Sequence, residues 1–272
     1  MPSLRKEVQS KMDELNIRGL FILSAEGINA TVATQGDRLG EFEEYVAELA
    51  DGALEIKRSE SGVAPFRRAM VVIRPEIVTL KRPDLVPESP INGHLSPAEW
   101  HAHLSSGKAK TLIDTRNDYE VAAGAFRGAV DPGMRTFAEW PAYLEDLQVP
   151  KEEPVYLYCT GGIRCEKAVL AMHEAGWNTV YQLQTGILGY LEQFPDGLYE
   201  GECYVFDDRI AVDKHLQPTQ RFGACVACGL TAETRPTCQW CGESYYLCPS
   251  CQDPQTCSKT CTDRLNRHGI RA

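Results

Sequence analysis

From Pro154 to Gly176 the sequence reads as strand, turn and helix in direct succession, with a cysteine where they meet. Pro154-Val-Tyr-Leu-Tyr158 is a short apolar run rich in aromatic and β-branched residues, the signature of a strand buried on both faces. Glu166 to Ala175 then carries apolar residues at helical spacing and stops at Gly176. A buried strand feeding a helix is the building unit of a parallel sheet with helices on its faces. The flanking sequence keeps this rhythm. Ser96-Pro-Ala-Glu99 starts a helix with a serine cap, a first-turn proline and a capping-box glutamate. Thr111 to Asp114 and Thr179 to Leu183 read as strands, Phe137 to Leu147 and Ile187 to Phe194 as helices. Residues 96–210 are therefore expected to form an α/β domain with a mainly parallel sheet.

Sites in such sheets gather at the carboxyl ends of strands, where Cys159 falls. In Cys159-Thr-Gly-Gly-Ile-Arg-Cys165 the glycines Gly161 and Gly162 allow a turn whose successive N–H groups form an anion-binding nest. The helix N-terminus adds partial positive charge, and Arg164 adds a full one. All three favour thiolate over thiol, so Cys159 is the candidate nucleophile and Arg164 holds an anion or the loop itself. Cys165 is placed to resolve a persulfide or sulfenic acid on Cys159, or equally to pack as a small residue.

Residues 1–83 read as a separate unit. A helix over Leu4–Leu15 is followed by strands at Gly19–Ser24 and Ala30–Ala33, with a turn at Ala25–Asn29 between them. A helix over Arg38–Leu49 and a strand over Ala69–Arg74 complete it. This order is that of a small α+β, ferredoxin-like domain lacking its first strand, so either the chain is shortened at its start or a sheet edge is left unprotected. A proline-rich linker, 84–95, follows.

The net charge of −10 argues against a surface coated in basic residues to grip nucleic acid. The charge is uneven, however. Lys57 to Arg82 holds seven basic residues against two acidic, while Leu95 to Ile210 holds nine against eighteen. Any nucleic-acid contact should begin on the first unit, through Lys57, Arg58, Arg67, Arg68 and Arg74; a solvated basic face is the plainer reading. No run of about 18 apolar residues suggests a membrane span, and no signal-peptide core is read at Met1-Pro-Ser-Leu-Arg-Lys-Glu7, so a cytoplasmic location is the expectation.

Eight of the eleven cysteines lie in the last fifty residues. The pairs Cys225/Cys228, Cys238/Cys241, Cys248/Cys251 and Cys257/Cys261 supply eight thiolates, enough for two closed tetrahedral zinc sites. Residues 217–272 are poor in core-forming side chains, so two structural zinc ions would provide the folding energy of this tail. Iron–sulfur ligation is the main competitor, disulfides a distant third, and pairing order is not legible. No glycine fingerprint for a flavin or nicotinamide is present. Cys203 stands alone and reads as packing.

The middle segment resembles a rhodanese domain. Leu112-Ile-Asp-Thr-Arg-Asn-Asp-Tyr-Glu120, then Gly124-Ala-Phe-Arg-Gly-Ala129, is similar to the stretch that family carries before its active loop. Cys159-x-x-Gly162-x-Arg164 fits the loop itself, and its six-residue span disfavours the related phosphatases. The resemblance implies that Asp114 and Arg116 brace the loop, and Asn117 and Glu120 read as helix-start residues.

A narrower likeness covers nearly the whole chain. Ala25-Glu-Gly-Ile-Asn29, Glu76-Ile-Val-Thr-Leu80, the Cys159–Lys167 stretch and Gly201-Glu-Cys-Tyr-Val-Phe-Asp-Asp208 occur in one order before the cysteine-rich tail. Together they resemble the rhodanese-like tRNA uridine hydroxylases. The resemblance implies dioxygen as co-substrate, the tRNA anticodon stem-loop as partner, and 5-hydroxyuridine at the wobble position as product. Two other readings stand beside it. One is a thiosulfate or persulfide sulfurtransferase working through a Cys159 persulfide; the other is a zinc-tailed binding module with an inert scaffold.

Overall fold

The computed structural model describes residues 1–50, 54–87, 93–219 and 221–269. Part of the expected linker, 88–92, and residues 220 and 270–272 of the expected tail lie outside the described residues. The first unit runs α1 (Pro2–Glu14), β1 (Arg18–Ser24), β2 (Gly27–Ala33), α2 (Arg38–Leu49) and β3 (Ala69–Ile73). Val8 and Met12 of α1 and Phe42 and Val46 of α2 pack with Phe21, Leu23 and Val71 of the sheet. The strand order is β2-β1-β3, with β2 antiparallel and β3 parallel to β1.

Two local features differ from the sequence reading. Strand β2 starts at Gly27, inside the stretch expected to be turn, because Ser24 already pairs with Gly27. Gly27, at φ +131°, adopts a conformation that favours glycine and lets the chain reverse in two residues. The outer edge of β3 is also not bare. Arg5 Nε donates to Val71 O at 2.9 Å, Val71 N–H donates to Gln9 Oε1 at 3.2 Å, and Gln9 Nε2 donates to Ala69 O at 3.5 Å. Side chains of α1 thus satisfy backbone groups that a neighbouring strand would otherwise bind.

The second unit contains β4 (His94–Leu95), α3 (Pro97–Ser105), β5 (Thr111–Asp114), α4 (Asp118–Val121) and β6 (Gly124–Phe126). It continues through α5 (Trp140–Asp146), β7 (Val155–Tyr158), α6 (Ile163–Glu174), β8 (Val180–Leu183) and α7 (Gly186–Gln193). Strands β4-β8-β7-β5 form a parallel sheet. Side chains alternate along β7 and divide the core into two layers. Val155 and Leu157 join Trp140, Trp177 and the buried face of α6. Tyr156 and Tyr158 join Trp100, Ile187 and Tyr190 beneath α3 and α7. Each such buried side chain contributes roughly 1.5–3 kcal/mol, which makes this sheet the rigid platform of the molecule.

Strand β9 (Tyr199–Gly201) pairs antiparallel with β6, and β10 (Cys203–Tyr204) pairs antiparallel with β11 (Ala211–Val212). Among its described residues the tail adds β12 (Gly223–Ala224), β13 (Thr231–Ala232) and α8 (Lys259–His268). The first two units meet through buried charge. Lys167 Nζ of α6 lies 2.8 Å from Glu26 Oε2 and 3.8 Å from Glu76 Oε2, as an ion pair rather than an aligned hydrogen bond. Glu76 Oε2 also accepts the N–H groups of Leu80 and Lys81 at 2.6 and 3.0 Å. Among the described residues, no helix is long and apolar enough to cross a membrane.

Candidate active site

Strand β7 ends at Tyr158, and the chain turns through Cys159-Thr-Gly-Gly into α6. Gly162 sits at φ +95°, which favours glycine and aims its N–H at Cys159 Sγ, 3.1 Å away. The loop is also held from below. Ile187 and Leu188 N–H, in the first turn of α7, donate to the carbonyls of Cys159 and Thr160 at 3.0 and 3.1 Å. Gly186 makes this approach possible: a Cβ there would lie 2.6 Å from both carbonyl oxygens. At Gly161 a Cβ would meet nothing within 4 Å, so the loop is open on that side.

Cys159 is fully buried, and burial alone would push its pKa up. The Cys165 thiol hydrogen-bonds to it, the Arg164 charge lies near, and the backbone N–H groups of Arg164 and Cys165 point at the sulfur. Together these outweigh burial and bring the Cys159 pKa down to about 5. Cys165 moves the opposite way: burial and the neighbouring thiolate push its pKa far up, so it keeps its proton. Thr115 Oγ1 stands 3.6 Å from Cys165 Sγ and donates to Tyr158 O at 2.9 Å. At neutral pH the loop presents a buried thiolate beside a protonated thiol.

Arg164 does not point free into the loop. Its guanidinium makes a forked pair with the buried carboxylate of Glu120, at 2.6 and 2.7 Å. Glu120 also receives Thr160 Oγ1 at 3.3 Å and the Asn117 N–H at 3.2 Å. Sequence reading assigned Glu120 only to a helix start; the structure makes it the counter-ion of the active loop as well. The signal was the placement of one acid six residues beyond Asp114, at the end of the stretch that carries Arg116. Arg116 forks onto Asp114 at 2.9 and 2.7 Å, both side chains fully buried, and donates to Gly124 O at 2.6 Å. That pair shapes the segment presenting Glu120, whose carbonyl accepts from Arg116 at 3.3 Å, and Arg116 also lies 5.9 Å from the ring centroid of Tyr158, just before the cysteine loop. Cys203 is buried, and burial raises its pKa to about 12, so it is an inert thiol.

Of the five basic residues expected to meet RNA, Lys57 reaches the loop: its Nζ donates to Gly161 O at 2.7 Å. Arg58 pairs with Glu43, and Arg67 lies 3.2 Å from Asp208. Arg68 and Arg74 are exposed.

The tail cysteines form two clusters, each with all sulfurs within 4.8 Å of one another. Cys225, Cys228, Cys248 and Cys251 make one; Cys238, Cys241, Cys257 and Cys261 make the other. The first pair therefore joins the third and the second joins the fourth, an interleaving that spacing did not disclose. Sulfur separations of 3.7 Å (Cys228–Cys248) and 3.6 Å (Cys241–Cys257 and Cys257–Cys261) fit a tetrahedron with metal–sulfur bonds of about 2.3 Å, whose edge is about 3.8 Å. They are far too long for disulfide bonds. The donor set fits zinc, and these eight residues would hold two ions.

Comparison with known proteins adds three matches along the chain. Residues 1–77 match the family model described as UPF0176 acylphosphatase like domain, residues 96–193 the rhodanese-like domain, and residues 200–262 the rhodanase C-terminal region. A tRNA uridine(34) hydroxylase of Bdellovibrio bacteriovorus is 40% identical over the whole of this chain and 79% of its own length. One from a Picosynechococcus species is 41% identical over 90% of this chain and 83% of its own. One from Legionella pneumophila is 41% identical over 79% of this chain and 85% of its own.

Proposed function

The chain belongs to the tRNA uridine(34) hydroxylase family, and from that premise we propose that it hydroxylates C5 of the wobble uridine of tRNA, with dioxygen as co-substrate. The observation that carries the chemistry is the Cys159 thiolate, with its pKa held at about 5 inside a nest of N–H groups. A thiolate adds to C6 of uracil, and the displaced electron pair gives enolate character at C5. The loop N–H groups, freed as sulfur charge is consumed, face the developing anion.

C5 then takes up dioxygen. Cys165, still protonated, accepts one oxygen atom as a sulfenic acid while the other stays on C5 as hydroxyl. Loss of the C5 proton expels Cys159. Its thiol condenses with the sulfenic acid, giving a disulfide and water, and a cellular thiol reductant returns both cysteines to the starting state. Atoms and electrons balance: uridine, dioxygen and two reducing thiols give 5-hydroxyuridine, water and one disulfide.

Lys57, Arg58, Arg67, Arg68 and Arg74 supply phosphate contacts to the anticodon stem-loop, in the cytoplasm where tRNA resides. Zinc in the tail, when bound, supplies folding energy to the module carrying it. The test is mass spectrometry of tRNA nucleosides after incubation in air with wild-type and Cys159→Ser protein. Wild type should add one oxygen atom to uridine 34 and the variant none. Full hydroxylation by Cys159→Ser would rule out the covalent scheme. Turnover of thiosulfate with no nucleoside change would instead support a sulfurtransferase.

A further inference from the structure

The Gly201–Asp208 stretch carries a feature that thiolate chemistry does not use. Phe206 is 59% exposed, on the six-residue loop between β10 and β11. Scattered exposed apolar residues are ordinary, but this ring is held in place. Tyr204 meets it edge to face at 5.1 Å, and Tyr119 meets Tyr204 in the same way at 5.3 Å. The turn beneath is fixed by Val205 N–H donating to Ile210 O at 2.9 Å and by the Arg209–Asp207 pair at 2.6 Å. On the active-site side, the Arg164 guanidinium lies 5.6 Å from the ring centroid. Arg164 therefore links Phe206 directly to the Cys159 loop.

Two residues further along the chain, from Asp208 to Ile210, the same loop lines a cavity of about 790 Å³ where the three parts of the chain meet. Val63 and Arg67 of the first unit, Arg209 of the second, and Phe222 and Tyr246 of the tail line it. The Asp208 N–H donates to Pro65 O at 2.9 Å and ties this loop to the first unit. Two of its aromatic rings are capped by arginine: Arg221 lies 4.9 Å from Phe222, and Arg235 lies 5.2 Å from Tyr246. Asp207, Asp208 and Glu233 each pair with an arginine here, at 2.6, 3.2 and 2.7 Å. The last two pairs are solvent-exposed, so a phosphate can compete for those arginines. An exposed, fixed aromatic ring at Phe206 and an arginine-bearing groove on the same loop are what a single-stranded nucleic acid with splayed bases requires.

We propose that Phe206 is the stacking platform for the wobble uracil, and that the adjoining groove takes the neighbouring anticodon nucleotides. This rests on the hydroxylase reading and adds how the base is presented. A base lying on Phe206 is delivered past Arg164 to the loop that holds the thiolate.

The test uses the full-length, metal-loaded chain with Phe206→Trp. The four native tryptophans, Trp100, Trp140, Trp177 and Trp240, are buried, so an exposed indole at 206 reports stacking by fluorescence quenching. An anticodon stem-loop with uridine at 34 should quench it, and the same RNA lacking only that base should not. Phe206→Ala should lower kcat/KM for hydroxylation by about tenfold or more, as loss of a base–aromatic stack does, and Phe206→Trp, which keeps a ring for the base, should lose less than Phe206→Ala. Equal quenching by both RNAs, or wild-type kcat/KM in Phe206→Ala, overturns the proposal. Should the wild-type enzyme leave uridine unchanged, the hydroxylase reading fails, whereas base-dependent quenching would still establish the platform.

Discussion

The Cys159 loop and the eight-cysteine tail use the same side chain against opposite backgrounds. In the loop one thiolate is held by a scaffold that already exists. Its strand is buried between two apolar layers, and α6 and α7 supply the N–H groups that fix the turn. In the tail half of the buried set is cysteine, with Ala232, Trp240, Tyr245 and Leu247 as the rest. There the sulfurs are not presented by a core; with metal they substitute for one. Cysteine chemistry in a chain of this kind is therefore read from what surrounds the sulfur, not from the count.

Metal removal breaks the comparison most sharply. Structural zinc in small modules contributes about 10–16 kcal/mol of apparent binding energy, which is also folding energy. A strong chelator should unfold residues 221–269 while the parallel-sheet domain stays folded, as read by limited proteolysis and circular dichroism. Elemental analysis should give two zinc ions per chain, falling to one in Cys225→Ser or Cys238→Ser. A tail that resists protease after the metal is stripped would show that its apolar residues suffice.

Next in size is Glu120→Ala. It leaves the Arg164 guanidinium in a site that is 7% exposed without its counter-charge. Breaking one partner of a buried pair costs about 3–5 kcal/mol, so thermal unfolding of the central domain should shift down by several degrees. The tail clusters, which do not touch this pair, should keep both metal ions.

Cys165→Ala acts on the loop alone. The fold lowers the Cys159 pKa to about 5, so it favours the deprotonated form. The stability gained is full above the ordinary thiol pKa and is lost as pH falls through about 5. Removing the Cys165 S–H removes the largest of the groups lowering that pKa. The midpoint should rise by about one unit, the equivalent of a hydrogen bond worth about 1.4 kcal/mol. The thiolate ultraviolet absorbance of Cys165→Ala, minus that of the Cys159→Ser/Cys165→Ala double variant, gives the midpoint directly. An unmoved midpoint would assign the thiolate to Arg164 and the backbone.

Local signals explain what was legible. Hydrophobic period, capping residues and glycines marked the strand–loop–helix unit around Cys159, because each depends on neighbours in sequence. The glycine turn and Arg164 carry the thiolate argument in the sequence itself. What escaped was tertiary. Glu120 sits 44 residues from Arg164, and nothing in a helix-start pattern tells a solvent-facing cap from a buried counter-ion. The interleaved cysteine pairing depends on how the tail folds back. The capping of β3 by Arg5 and Gln9 needs the helix to lie along that edge, which a polar residue's position alone does not announce.

The smallest effect separates support from below from contact from above. Lys57 reaches Gly161 O at 2.7 Å, yet its side chain is 42% exposed. It is also not among the groups that set the Cys159 pKa. If the loop is positioned by α6 and α7, Lys57→Ala should change stability by no more than about 0.5 kcal/mol, as surface substitutions do. The thiolate midpoint should stay at about 5. Differential scanning calorimetry and the same absorbance titration measure both. A large loss of stability, or a risen midpoint, would mean that the first unit helps build the loop and is not merely laid against it. The contrast with the tail would then weaken, since neither sulfur site would rest on a scaffold complete without help from another part of the chain.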